Sequence, residues 1–201
     1  AGKYTTGSYN TFVGSAAGQG GTTSAPFSSG QNNTSLGYQS LLQFTSGGSN
    51  TGVGGQSAYS VTTGVENVAL GQTALFYNQT GHYNVAIGRA AMFGVSGNSH
   101  ENNTAVGYKS SFGITTGHTN ATLGYAAAMD LTTGHSNVAI GGNAAQNMTS
   151  GYENVAIGRD AMVNNTITGN NNVAIGHDAL KSVADSYGHI GIGTGAGSSV
   201  V

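Results

Sequence analysis

The sequence predicts an all-β fold, a parallel β-roll or β-solenoid of about eleven 17-residue coils. Three observations predict it. First, N-V-A-I-G recurs at Asn84, Asn137, Asn154 and Asn172. With relaxed variants the motif starts at Asn10, Asn33, Asn50, Asn67, Asn84, Asn103, Asn120, Asn137, Asn154 and Asn172, and His189 opens an eleventh repeat. Seven of the ten spacings between these positions are 17 residues. Second, counting the Asn as position zero, position four is Gly in all eleven repeats, from Gly14 to Gly193. Third, 35 of 201 residues are Gly and only 6% are charged. The helix formers Glu, Lys, Arg and Gln are scarce, and 17 residues cannot hold a helix–turn–helix unit.

The repeat reads G-x-x-N-[VT]-A-[IVL]-G-x-x-[AS], and each position has a physical reading. The V-A-I segment is short, β-branched and bounded by Gly, which predicts a strand. We expect two short strands and two turns per coil, stacked at strand spacing into a rod about 50 Å long. The Gly three places before the Asn is kept in nine of eleven repeats; His100 and Ser186 are the exceptions. A fixed Gly marks positive φ or a close backbone approach. The Asn row, with Asn67, Asn84, Asn137, Asn154 and Asn172 in the best-matched repeats, predicts a ladder of side-chain amides bonded from coil to coil.

Position three is always Val, Leu or Ile and is expected to be buried. Position two holds Ala69, Ala86, Ala105, Ala139, Ala156 and Ala174, with Gly or Ser in three other repeats, and only Phe12 and Thr122 are larger. A strand with one wet face should be polar there. Small apolar residues instead suggest close contact with another chain, and hence a homotrimeric fibre with these alanines at its interface. The opposite arrangement, with Ala inside and Ile outside, is the alternative. Residues 1–201 read as a single repeat array with an inserted loop near 19–30 that carries the only proline, Pro26. The repeat is still running at Gly193, so the chain is expected to continue beyond one or both ends as part of a longer protein.

These residues resemble a known pattern. N-V-A-I-G followed three places later by a small residue is similar to the head repeats of trimeric autotransporter adhesins. Asn103-Thr104-Ala105-Val106-Gly107-Tyr108 is similar to the repeats of bacteriophage tail fibres. The resemblance implies a trimeric β-roll at a virion or cell surface, with a cell-surface glycan or protein as receptor.

Residues at one repeat position should form rows along the rod. The fifth position holds Tyr38, Gln72, Arg89, Tyr108, Tyr125, Arg159 and His177 on an expected exposed corner. Tyr and Arg are common in binding hot spots, so Tyr38, Arg89, Tyr108, Tyr125, Arg159 and His177 are the receptor-contact candidates. The ninth position is Leu42, Tyr59, Phe76, Phe93, Phe112 and Met129, an expected packing spine. His82, His118 and His135 share a row, but Glu101, Tyr152 and Val65 interrupt it, so no metal site is predicted. Asp160 and Asp178 fall in adjacent coils, near the carboxylate separation of retaining glycosidases. Nothing in the sequence supplies the cleft and apolar wall needed to split their acidities, and they read as exposed corner carboxylates.

Composition removes other classes. No Cys excludes a disulfide scaffold or zinc ribbon, and one Pro excludes collagen. Five Lys+Arg against seven Asp+Glu build no basic face for nucleic acid. There is no apolar run long enough to insert in a membrane. The expectation is a non-enzymatic adhesin segment without cofactors, extracellular or on a virion, giving a rigid stalk and host-surface attachment. A structural filament or surface element with no ligand is the alternative. An ice-binding solenoid fits less well, because Thr occupies position one in only four repeats: Thr11, Thr34, Thr51 and Thr104.

Overall fold

The computed structural model describes residues 1–21, 27–163, 168–182, 185 and 187–198. Eleven strands of three residues stack in chain order into one parallel sheet. They are β1 (Thr11–Val13), β2 (Thr34–Leu36), β3 (Thr51–Val53), β4 (Val68–Leu70), β5 (Val85–Ile87), β6 (Thr104–Val106), β7 (Ala121–Leu123), β8 (Val138–Ile140), β9 (Val155–Ile157), β10 (Val173–Ile175) and β11 (Ile190–Ile192). The register aligns like positions: Val138 faces Val155, Ala139 faces Ala156 and Ile140 faces Ile157. The chain is therefore an all-β parallel solenoid. Among the described residues there is no helix, and none long and apolar enough to cross a membrane.

Each repeat has one strand, where two were expected. The remaining residues form turns whose backbone bonds still run between repeats. The Gly71 N–H donates to the Val53 carbonyl, Thr73 to Gly55, and Leu75 to Ala91, at 2.8, 3.0 and 3.0 Å. These bonds require left-handed backbone at fixed points. Glu66, Thr73 and Leu75 have φ of 56°, 55° and 53°, and the equivalent positions of the other repeats follow. At position four φ is wider still, and only Gly fits. A Cβ on Gly107 (φ 133°) would lie 2.3 Å from the carbonyl oxygen of Gly124 in the next repeat.

The strand faces are the reverse of the expectation. Position two points inward: Ala69, Ala86, Ala139, Ala156 and Ala174 are fully buried within a single chain. They therefore cannot form the oligomer interface assigned to them above. Position three points outward: Ile140, Leu123 and Ile192 are 37%, 48% and 68% exposed. The cause is the narrow interior of a 17-residue coil. A Cβ on Gly52 would lie only 2.5 Å from Ser40 Oγ and 3.2 Å from Ser57 Oγ, both at position seven. Positions two and seven oppose each other across the coil, so both stay small beyond the first repeat, where Phe12 packs against Phe44 instead. Where position two is polar, its hydroxyl is satisfied: Thr122 Oγ1 pairs with Ser110 Oγ and Ser111 Oγ at 2.7 and 2.9 Å, and Ser35 Oγ donates to the Ser40 carbonyl at 2.8 Å.

The rest of the core comes from position eight (Leu41, Leu75, Met92, Met162, Leu180) and position eleven (Phe44, Val61, Ile114, Leu131, Met148), all fully buried. The Asn row closes one side. From Asn50 to Asn172 each side-chain amide donates to the Oδ1 of the preceding repeat's Asn, at 2.9–3.3 Å. That Oδ1 also accepts the backbone N–H of the next Asn, as Asn137 Oδ1 does from Asn154. A buried amide in a narrow apolar coil is tolerated because its polar atoms are satisfied. Within the inserted segment, Ser28 bridges in parallel to Thr5 and Phe27 is exposed. Pro26 lies outside the described residues.

Candidate functional site

The stacked turns convert single-residue choices into continuous rows, so any site here is built by repetition. The position-five row is exposed at Tyr38 (57%) and Tyr125 (62%), and Arg89 is exposed beside it. Tyr108 and Tyr125 stack with ring centroids 5.5 Å apart, and the Arg89 guanidinium lies 5.8 Å from the Tyr108 ring. Lys109 sits 5.6 Å from the same ring. Arg89, Tyr108 and Tyr125 thus form one cation–aromatic patch across three repeats. Tyr38 lies three repeats away from Arg89 and is not part of it. Arg159 and His177 contact each other in another cluster toward the C-terminus.

That second cluster joins Asp160, His177 and Asp178, whose ligand atoms all lie within 4.8 Å of one another. The carboxylates already have cations. Lys181 Nζ is 2.9 Å from Asp178 and Arg159 Nε is 3.5 Å from Asp160. The Lys181 hydrogen bond is the main reason the Asp178 carboxyl lies below its ordinary range, helped by the charges of His177, Lys181 and Arg159. The arrangement is a half-buried ion network whose carboxylates are already paired with cations.

The position-nine row stacks on the outside of the coil. Tyr59, Phe76, Phe93 and Phe112 have successive centroids 4.8, 5.0 and 5.1 Å apart, and Tyr77 packs edge-on against Phe76 and Phe93. The rings are half-buried and brace one repeat against the next.

Two rows escaped the sequence reading as a pair. Four places before the Asn lies a hydroxyl in ten of eleven repeats, Thr63, Thr80, Ser99 and Thr116 among them. Two places before it lie His82, Glu101, His118, His135 and Tyr152. Between the rows runs the glycine position, which has no side chain. The rings stack: His118 on His135 at 4.9 Å and 3°, His135 on Tyr152 at 5.0 Å and 7°. Glu101 interrupts the rings, and there a pocket of about 350 Å³ opens between the rows. The four hydroxyls form one wall, and His82, Glu101 and His118 form the other. Thr80 Oγ1 and Ser99 Oγ bond each other at 3.0 Å. His82 Nδ1 accepts the Val65 N–H at 3.0 Å, which places the proton of the neutral ring on Nε2.

His100 also lines the pocket, and it explains why the pocket sits here. It replaces the glycine of this row. A Cβ at that glycine points inward, against the position-eleven residue of the repeat before. On Gly134 it would meet Leu131 Cδ1 at 2.7 Å, and on Gly151 Met148 Sδ at 3.4 Å. The repeat beginning at Asn84 has two extra residues, and its position-eleven side chain, Val95, is pushed out to 45% exposure. His100 fills the place Val95 leaves. Its N–H donates to Asn78 Oδ1 at 3.1 Å, but neither ring nitrogen has a hydrogen-bond partner among the described residues. Burial lowers its pKa from 6.5 to about 3, so the ring is neutral. The irregular His100 was visible in the sequence; its link to Val95 required the coil geometry.

No protein-family profile, curated protein or solved structure matches this chain.

Proposed function

We propose that this chain is a rod segment of a self-assembling, non-enzymatic fibre, of the kind found in phage tail fibres and surface adhesins. It acts as a rigid stalk that also attaches to a cell surface, on a virion or outside the cell. One observation carries the reading: an uncharged, largely aliphatic stripe, with Thr at position one in four repeats, covers the outer face of the sheet. It comprises positions one and three of every repeat, twenty-two residues from Thr11 to Ile192, and none is charged. Eleven strands at about 4.8 Å spacing make it about 50 Å long and about 10 Å wide. A pair of such stripes would bury roughly 1,000 Å², the lower bound of a specific interface. The stripe presents an uncharged, mostly β-branched or aliphatic side chain at every strand spacing, so the surface that matches its repeat and character along its whole length is another copy of itself. Three copies around an axis would cover the stripes and leave the position-five row outside, where Arg89, Tyr108 and Tyr125 are placed to meet a receptor.

Sedimentation equilibrium tests this directly. The wild-type chain should run at about three times its 20.0 kDa monomer mass. Ile140→Glu with Ile157→Glu should run as a folded monomer. A wild-type monomer at high protein concentration, or a double variant that still assembles, would overturn the reading. An assembly that attaches to no cell surface would favour a purely structural filament.

A further inference from the structure

We propose that the pocket at Glu101 binds a single pyranose unit of a surface glycan. The inference rests on the attachment reading above and names a receptor subsite for it. Three features of the pocket point to sugar chemistry. One wall is made of hydroxyls alone, which can donate to and accept from the hydroxyls of a sugar. The opposite wall offers a free aromatic face. His118 is the end of the His118–His135–Tyr152 stack, and among the described residues no ring stacks on its outer side, where the preceding repeat carries Glu101. The apolar C–H face of a pyranose can lie on that imidazole. Glu101 and His82 then complete the polar set: the carboxylate accepts from two adjacent sugar hydroxyls, and the His82 Nε2–H donates to a third.

The site is a built feature of the array. The ring row is broken once between His82 and His118, at the repeat that follows the two-residue insertion.

The test is a titration of the isolated, isotope-labelled chain with the methyl pyranosides of glucose, galactose, mannose and N-acetylglucosamine, followed by amide and imidazole NMR shifts. At least one should bind with a millimolar dissociation constant and shift His82, Glu101 and His118 together. Glu101→Gln and His118→Ala should each weaken that binding about tenfold or more. Tyr125→Ala, on the position-five row, should leave it unchanged. Glu101 and His118 are exposed, so both variants should keep the wild-type circular dichroism spectrum. Absence of shifts with all four sugars would overturn the proposal. So would binding that survives both pocket substitutions in folded protein. The titration uses neither cells nor the assembled fibre, so its failure removes the sugar site alone; the sedimentation experiment decides the fibre reading separately.

Discussion

Replacing Asn137 by Ala should destabilise the chain by about 2–6 kcal/mol. The estimate follows from what that amide does. Its Nδ2 donates to Asn120 Oδ1 at 3.0 Å and to the Gly151 carbonyl at 2.8 Å. Its Oδ1 accepts the Asn154 backbone N–H at 3.0 Å and the Asn154 side-chain amide at 3.2 Å. Asn120 Oδ1 keeps the Asn137 N–H, and the Asn154 amide keeps Gly169. Two groups lose the bond that satisfies them: the Gly151 carbonyl and the Asn154 N–H. Each buried orphan costs about 1–3 kcal/mol, which gives the range. Against a total stability of about 5–15 kcal/mol this is a large fraction. Urea unfolding followed by circular dichroism, at fixed protein concentration, measures it. Exposed Gln72→Ala serves as control and should change stability by no more than about 0.5 kcal/mol. Asn137→Asp should be worse than Ala at neutral pH, because a carboxylate would face both Asn120 Oδ1 and the Gly151 carbonyl. If Asn137→Ala costs no more than the Gln72 control, the ladder is not what holds adjacent repeats in register.

Four further outcomes are expected. Ala156→Glu should unfold the chain itself, since Ala156 is fully buried in the coil, whereas Ile140→Glu should leave the circular dichroism spectrum intact; the reverse result would restore the alanines to an intermolecular face. His100 has a folded pKa of about 3 against an ordinary 6.5, so the unfolded chain binds its proton first. Stability from this group is complete above about pH 6.5 and falls as pH drops toward 3; His100→Met should flatten that slope in pH-dependent urea titrations, and an unchanged slope would show that His100 does not cause it. Thr73→Gly should raise stability by about 0.5–1 kcal/mol, because a β-branched residue at φ 55° gives way to one that adopts it freely; a loss in thermal denaturation would contradict this. Arg89→Ala with Tyr125→Ala should reduce attachment to cells while leaving the sedimentation mass unchanged, and a change in mass would place the position-five row at the interface instead.

The 17-residue register and the Gly and Asn at fixed positions determined the stacked parallel strands and the amide ladder before any coordinates. A one-dimensional repeat leaves few alternatives: like positions must stack, and a row of buried Asn has only its own copies to bond. The direction of the strand faces was not legible. V-A-I is apolar on both sides, so hydrophobic pattern could not say which side was in, and the usual preference for large residues inside pointed the wrong way. The tertiary structure decided it, through the short distance from position two to position seven across the coil. The same holds for the pocket. Glu101 and His100 looked like lapses in two separate rows, and Val95 like an ordinary loop residue. Only the closed coil shows that pushing Val95 out admits His100. Only the stacking of adjacent repeats sets the hydroxyl row opposite the broken ring row, because neighbours across a groove are fixed by coil geometry and not by order along the chain.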